Sequence, residues 1–492
     1  MSSPSESLSE SLFSLVEQGF SNWVVAPLGR IIFFDLAFWD DASGNALEVP
    51  AVVAWLITGA VFFTFRFGFV NVTGFRHGID CVRGRYSESD DEGEVSHFQA
   101  LAAALSATVG LGNIAGVAFA LGVGGPGATF WMILGGVFGM SSKFAECTLG
   151  QRYRQMDASG HVIGGVEALY LRDGLAELGL RPAGSCSVLF AIMCVGELRR
   201  RQHVPGESEL RRSLQRSRRS PRARARSASD SRLCCSSGSS SSAASDGSAR
   251  SPDPGPGYAC STACGFRDPR DPRQREVPRG PRRPAGVFTL ASGLGGFVGT
   301  LMQGFRRAAA FSNEAGIGSA AIAHSAAKTE EPIREGYVAL LEPFIDTVIV
   351  CTTTALVIIV TGALDLPDAG KGIKLTATAF ATVLPWFPKV LTGIALLFAF
   401  STMISWSYYG ERAWVFLFGE RSLLAYQLIF LAFTFGGVIF QNASLVLDFG
   451  DLMLLGMAFP NIAGVMLLSG MIRRDLDQYR ARLAAGAFRR RD

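Results

Sequence analysis

Apolar runs long enough to cross a bilayer recur along most of this chain. A membrane span needs about 20 mostly apolar residues, and that spacing predicts helices over 52–71, 98–122, 128–150, 287–323, 337–362, 388–410, 423–440 and 445–472. A further run, "SVLFAIMCVG" from Ser187 to Gly196, begins like a span and is followed at once by "ELRRR". Three arginines near a helix centre oppose insertion by roughly 8–10 kcal/mol, so this span is predicted to be cut short. Residues 12–39 are more amphipathic, with Glu17, Arg30 and Asp35 interrupting the apolar positions, and predict a helix lying in the interface. The pattern as a whole predicts an all-α polytopic membrane protein.

Charge in the loops orients the predicted spans, because positively charged flanks stay on the cytoplasmic side. Arg66, Arg76, Arg83 and Arg85 follow the first span, Arg152 and Arg154 the third. Lys328 and Arg334 follow 287–323, Arg412 and Arg421 follow 388–410, and "IRRDLDQYRARLAAGAFRRRD" ends the sequence. Together these place the N-terminus outside, the C-terminus in the cytoplasm, and "GVGGPG" (122–127) as a tight external turn of a plasma-membrane protein of the bacterial inner-membrane type. The chain then divides into an N-terminal external or interfacial region (1–50), a first part of the membrane core (51–196), an aberrant segment (197–285), a second part of the core (286–472) and a basic cytoplasmic tail (473–492). Composition agrees: 48% hydrophobic residues, with 36 Phe and 56 Gly, is too apolar for an ordinary soluble protein. Nine cysteines show no regular framework, and Cys81, Cys147, Cys186, Cys194 and Cys351 lie in or beside apolar stretches where a thiol acts as a small hydrophobe, so no disulfides are predicted. The first residues lack the basic stretch of a cleaved signal peptide.

Residues 197–285 do not fit this pattern. They contain no Lys, Ile, Asn, Met or Trp and are dominated by Arg, Ser, Pro, Ala and Gly, a composition that predicts disorder. Parity of the charged loops requires the Ser187 span and two further helices here, and the segment supplies neither. Three readings compete. It could be an Arg-rich tail binding nucleic acid or anionic lipid. It could hold zinc through Cys234, Cys235, Cys260 and Cys264, although their spacing is unlike a strong site. Or it could be a stretch translated out of frame, since residues with A/T-rich codons are the missing ones. Joining the last two bases of each codon to the first of the next, "ELRRRQHVPGESE" permits S-F-G-G-G-N-M-F-Q followed by A-N-Q-S, an apolar, Gly-rich continuation suited to a membrane helix. That third reading is the one adopted.

Two segments carry candidate chemistry. "SATVGLGNIAGVAFALGVGGPG" (106–127) is apolar but interrupted by Gly110, Gly112, Asn113 and Gly116; "FSNEAGIGSAAIAHSA" (311–326) repeats the theme with Asn313, Glu314, Gly316 and Gly318. Paired Gly-broken hydrophobic segments in matching positions point to the site of a secondary transporter, because unwinding frees backbone groups where lipid offers no partner. The alternative is that these glycines only permit close helix packing.

With "GNIAGVA", "GGPGATFWM", "FSNEAGIGSAAIAHSA", "LEPFIDT" and "SWSYYGER" in this order, the chain resembles the alanine or glycine:cation symporter family of sodium-coupled amino-acid carriers (sodium:alanine symporters), over roughly 51–196 and 286–472. The family also has a helix close to G-G-N-M-F-Q directly after the "VG" matching Val195 and Gly196, in agreement with the shifted frame. The resemblance implies a leucine-transporter-type fold of five plus five helices in inverted repeat, preceded by one extra helix. Carried over by position, Gly110, Gly112, Asn113, Phe311, Asn313 and Ala315 would line the substrate site, with Trp406 as its bulky wall; Trp406 could instead anchor at the membrane interface. Ser401 and Thr402 hydroxyls, with carbonyls near Thr108 and Val109, would ligate Na⁺, an oxygen set that suits a hard cation; back-bonding within the helix is the alternative.

The implied function is symport of a small neutral amino acid, alanine or glycine, with Na⁺ as coupling ion, by alternating access. The implied partners are the amino acid, Na⁺ and the lipid bilayer; no nucleic acid, no organic cofactor and no enzymatic chemistry are expected. The competing classes are a membrane-tethered module whose Arg-rich insert binds nucleic acid or anionic lipid, and a channel. Glu342 and Asp346, four apart, are read as gating or structural carboxylates, Lys143 and Glu146 as an ordinary pair near the cytoplasmic surface, and Arg306 and Arg307 as an external gate or snorkelling pair. As written, the chain is expected to be inactive, because the family's glutamine-bearing third core helix and the two after it are missing.

Overall fold

The computed structural model describes residues 17–36, 49–87, 91–156, 162–163, 166–180, 183–197, 312–366, 370, 372–439 and 443–488. The aberrant segment after Glu197, Phe311, Arg306, Arg307 and most of the predicted 287–323 span lie outside the described residues.

The described chain is mostly helical. A π-helical turn (Ser21–Val25) leads into α1 (Ala26–Ile32), whose neighbourhood exposes Trp23 and Ile31. Then come α2 (Ala51–Arg66), α3 (Phe75–Val82), α4 (His97–Thr108), α5 (Val117–Gly124) and α6 (Gly127–Arg152). A short hairpin pairs β1 (Gln155–Met156) with β2 (Val162–Ile163). Next are a helical stretch, α7, over 166–177, and α8 (Ala183–Gly196). After the undescribed interval follow α9 (Ala320–Ser325), α10 (Pro332–Val360), α11 (Ile373–Ala381), α12 (Phe387–Phe418), α13 (Leu423–Ile439), α14 (Ala443–Gly456) and α15 (Ala458–Ala484).

Length and apolarity suit membrane crossing for α10, α12 and the stretch Asp448–Ala484 among the described residues, and for α4 with the helix after it as one span bent by 55°. Burial tells the same story from outside. Leu396, Leu397, Phe400 and Ile404 lie along one face of α12 and are all exposed, as are Leu424, Leu428 and Leu431 on α13. A continuous apolar outer face is the mark of a surface whose solvent is lipid. Inside, α6 is the central post: α2, α9, α10 and α15 all pack on it. Val52 and Phe63 from α2, Phe144 from α6, Tyr337 from α10 and Leu468 from α15 share one buried cluster.

Several elements depart from the sequence pattern. The first span ends at Arg66, not at 71, because Gly68 and Phe69 both turn left-handed (φ 61° and 55°), a conformation no right-handed helix continues through. The stretch predicted as one helix over 445–472 continues through Met457, which keeps helical dihedrals (φ −59°, ψ −28°), and runs on past 472 to Ala484. It does so because its last turns are amphipathic: Leu476 and Tyr479 are buried while Arg473 and Asp477 pair at 2.9 Å on the outside. Helix α10 contains a π-helical stretch, Phe344–Cys351, and α11 has no counterpart among the predicted spans.

Candidate functional site

The first interruption is built by local chemistry. Ser96 and Gln99 form a capping box at the start of α4: the Ser96 hydroxyl accepts from the Gln99 N–H at 3.3 Å and the Gln99 amide oxygen accepts from the Ser96 N–H at 2.9 Å. The helix ends at Thr108, where Val109 turns extended (ψ 104°), and a π-helical turn over Gly112–Gly116 restarts it in a new direction. The carbonyls of its last turn therefore lie beyond the helix's own donors. Ser401 on α12 reaches one of them, the Ser106 oxygen, at 3.4 Å and also back-bonds to Phe398 at 3.2 Å. Thr402 faces Gly110: a Cβ at that glycine would stand 3.2 Å from its hydroxyl oxygen. Beyond the interruption, Thr376 on α11 donates to the Ile114 carbonyl at 2.9 Å.

The second interruption occupies 312–319, ahead of α9. Gly316 and Gly318 have φ of 92° and 101°, and Glu314, unusually for a non-glycine residue, has φ of 53°. The segment is fixed by its own side chains. Asn313 accepts from the Ala315 N–H at 3.0 Å, and Ser319 donates to the Glu314 carboxylate at 2.7 Å. From α15, Asn461 donates to the Gly316 carbonyl at 3.0 Å and to Glu146 at 2.8 Å, and accepts from the Tyr170 hydroxyl.

Asn113 joins the two interruptions. Its oxygen accepts from the Gly110 N–H at 2.8 Å, and its amide nitrogen donates to the Asp346 carboxylate at 2.7 Å and lies 3.2 Å from the Ser312 hydroxyl. Ser312 donates to the same carboxylate, Thr347 does so at 3.0 Å, and Asn313 donates to the Thr347 hydroxyl at 2.8 Å. Asn113, Asn313, Asp346 and Thr347 are fully buried. Gly139 on α6 lets this cluster sit close, since a Cβ there would come within 3.0 Å of the Ala315 methyl.

The predicted site residues thus fall into two groups. Gly110 and Asn113 with Asn313 lie at one junction, Gly112 opens the π-helical turn beside it, and Ala315 lies against α6. Thr108, Val109, Ser401 and Thr402 lie where α12 packs on α4. Trp406 is buried in the same hydrophobic cluster as Val109 and stacks edge-on to Tyr409 at 5.5 Å, which removes the interfacial-anchor alternative for it. Phe311 lies outside the described residues. The pairing of Lys143 with Glu146 needs correction. Both are fully buried, Lys143 meets Glu342 at 3.2 Å, and Glu146 bonds Asn461; the two side chains are three apart on α6 but their best partners come from α10 and α15. Glu342 and Asp346 accordingly serve different neighbours. Sequence reasoning missed Ser312, Thr347, Thr376 and Asn461, of which Ser312 and Thr347 sit inside quoted motifs, FSNEAGIGSAAIAHSA and LEPFIDT.

A bent, interrupted helix meeting a second Gly-rich, non-helical segment inside a bundle with apolar outer faces is an arrangement that suits a membrane transporter. The chain belongs to the sodium:alanine symporter family, whose pattern matches residues 37–204 and 285–491. Among its relatives, the sodium/alanine symporter AgcS of Methanococcus maripaludis is 32% identical over 86% of this chain and 92% of its own length. The probable sodium/glutamine symporter GlnT of Bacillus subtilis is 29% identical over 90% of this chain and 91% of its own, and the putative sodium/proton-dependent alanine carrier protein YrbD of the same organism 29% over 87% and 89%. The family consists of transporters rather than enzymes, and its class of activity is cation-coupled amino-acid transport. Its match is split around the Arg/Ser/Pro-rich stretch.

Proposed function

We propose that this chain is the framework of a carrier for alanine or glycine, driven by Na⁺ and working by alternating access across a bacterial-type plasma membrane, with the N-terminus outside and the C-terminus in the cytoplasm. The observation that carries this reading is Asn113, which ties the first interruption to Ser312 and Asp346 beside the second. A zwitterion needs donors for its carboxylate and acceptors for its ammonium, and an interrupted helix offers both from backbone. Gly110, Gly112, Asn113, Phe311, Asn313 and Ala315 are assigned to the amino acid with Trp406 as wall. With hydrogen or methyl side chains at Gly110, Gly112 and Ala315, the space suits a substrate side chain no larger than methyl. Thr108 and Val109 carbonyls with Ser401 and Thr402 hydroxyls are assigned to Na⁺. Five-plus-five inverted repeats are the architecture that this assignment requires.

Residues 197–285 are assigned to a shifted reading frame, and the chain as written is expected not to transport. The test is radiolabelled alanine uptake into proteoliposomes by two proteins, the chain as written and one with the frame restored near codons 196 and 286. Saturable uptake by the second alone, faster with Na⁺ outside, is the expected result. Equal rates with and without Na⁺ would remove the coupling ion, and equal uptake by both proteins would restore the segment to the protein. In the restored chain, Asn113→Ala is expected to abolish alanine binding measured by calorimetry.

A further inference from the structure

Where α2 ends beside α15, exposed aromatic rings and guanidinium groups meet on one patch of surface. Phe62 and Phe65 stand three apart on α2 and so share a face; both are exposed, as are Phe69 and Val72 just after the helix. The Phe65 and Phe69 rings meet edge to face at 5.2 Å. Phe69 holds a left-handed backbone (φ 55°), which is costly for a bulky side chain, and its N–H is bound to the Thr64 carbonyl at 2.8 Å. That costly turn leaves the ring outside the core. Three arginines border these rings. Arg66 closes α2 and is exposed, Arg473 on α15 donates to the Arg66 carbonyl at 3.3 Å, and Arg480 donates to the Thr73 hydroxyl at 3.1 Å.

The neighbouring carboxylates do not cancel this charge. Asp477 pairs with Arg473 at 2.9 Å, and it also acts on the Tyr337 hydroxyl, to which Arg480 donates at 3.2 Å. Asp475 is taken by Arg152, and Asp80 on α3 by Arg85 at 2.6 Å. Arg66 and Arg480 are left without a salt-bridged carboxylate among the described residues, and the exposed Arg76 and Arg474 add to the positive side. A guanidinium fork matches phosphate oxygens, and aromatic rings beside basic residues at the end of an apolar helix mark the headgroup level of a bilayer. Both halves of the patch are satisfied at once by a molecule with an anionic phosphate head and a hydrocarbon tail. A free anion would leave the apolar side chains uncovered, and a zwitterionic lipid would bring its own cation against the arginines.

We propose that this patch is a binding site for one anionic phospholipid: its phosphate lies on Arg66 and Arg473, its headgroup reaches towards Arg480, and its acyl chains run along Phe65 and Phe62. The site stands apart from the carrier reading. A lipid held there fastens the end of α2 to α15, the helix whose Asn461 bonds the Gly316 carbonyl at 3.0 Å.

The test is native mass spectrometry of the full-length chain released from nanodiscs of mixed phosphatidylglycerol and phosphatidylcholine. The expected result is one phosphatidylglycerol retained in preference to phosphatidylcholine. Arg66→Gln is expected to lower that preference about fivefold, the weight of one arginine at a lipid surface, and Arg480→Gln to lower it further. Phe69→Asn, which keeps a residue tolerant of the left-handed turn, is expected to lower retention of both lipids alike. Arg421→Gln, an exposed arginine beyond α12, is expected to change neither. Equal retention of the two lipids by the wild-type chain would overturn the proposal. So would a loss in Arg421→Gln as large as that in Arg66→Gln, which would mean diffuse surface charge, or displacement of the lipid by inorganic phosphate at constant ionic strength, which would mean a simple anion site. The wild-type preference and the phosphate competition need no variant to fold. Alanine uptake plays no part in the measurement, so the lipid site and the carrier reading stand or fall separately.

Discussion

At the scale of single residues, buried charge is the clearest feature of this molecule. Lys143 and Glu342 are both fully buried and meet at 3.2 Å. Removing one partner of such a pair leaves an uncompensated charge and costs about 3–5 kcal/mol, whereas replacing both by apolar groups is often neutral. Lys143→Met is therefore expected to lower the thermal midpoint strongly, and Lys143→Met with Glu342→Met to recover most of the loss, read by thermal unfolding in detergent. A smaller effect concerns His77 on α3, which lies outside the spans and packs on Tyr86, Tyr337 and Tyr479. Burial, opposed by Asp80 and assisted by Arg334, pushes it down from 6.5 to about 4. The unfolded chain then takes a proton that the folded one refuses, so this stability is whole above pH 6.5 and is lost as pH falls towards about 4. His77→Gln is expected to flatten that decline in thermal midpoint between those two values; an unchanged slope would show that other groups cause it.

At the scale of elements, the second interruption depends on glycine geometry. At Gly316 a Cβ would meet both a positive φ of 92° and the Leu56 side chain at 2.8 Å. Gly316→Ala is expected to cost about 1–3 kcal/mol, while Gly393→Ala on α12, where nothing stands within 4 Å, should cost none; equal losses in thermal unfolding would discount the local argument. What the sequence made legible follows from the same physics. Gly110, Gly112 and Gly116 announce an interruption because they are clustered around a polar Asn113, whereas the glycines of α6 stand in an unbroken helix and serve close packing. The π-helical stretch of α10 was hidden because "FIDTVIVC" contains no breaker, and α11 because nine Thr/Ala-rich residues are too short for a span. The partners of Lys143 and His97 were unreadable for another reason: they come from positions about two hundred residues away, and no local spacing encodes such a contact.

For the molecule as a whole, the exposed apolar face of α12 and the basic groups near Arg473 and Arg480 argue for a span ending in a basic cytoplasmic tail. A green fluorescent protein fused after residue 492 is expected to fluoresce in cells, and alkaline phosphatase fused there to be inactive; an active phosphatase would reverse the assigned orientation. Helix α15 runs from the buried Gly-rich segment at 312–319 to an ion pair at the surface. Asn461 grips the second interruption near its start, and Arg482 pairs with Glu331 at 2.7 Å near its finish. At 1.5 Å per residue the rod between them is about 32 Å long. Pivoting it by about 5° at Asn461 would swing Arg482 through about 3 Å, enough to part that surface pair. A fluorescent reporter placed on this lever tip would read, from outside the bilayer, what happens at its middle.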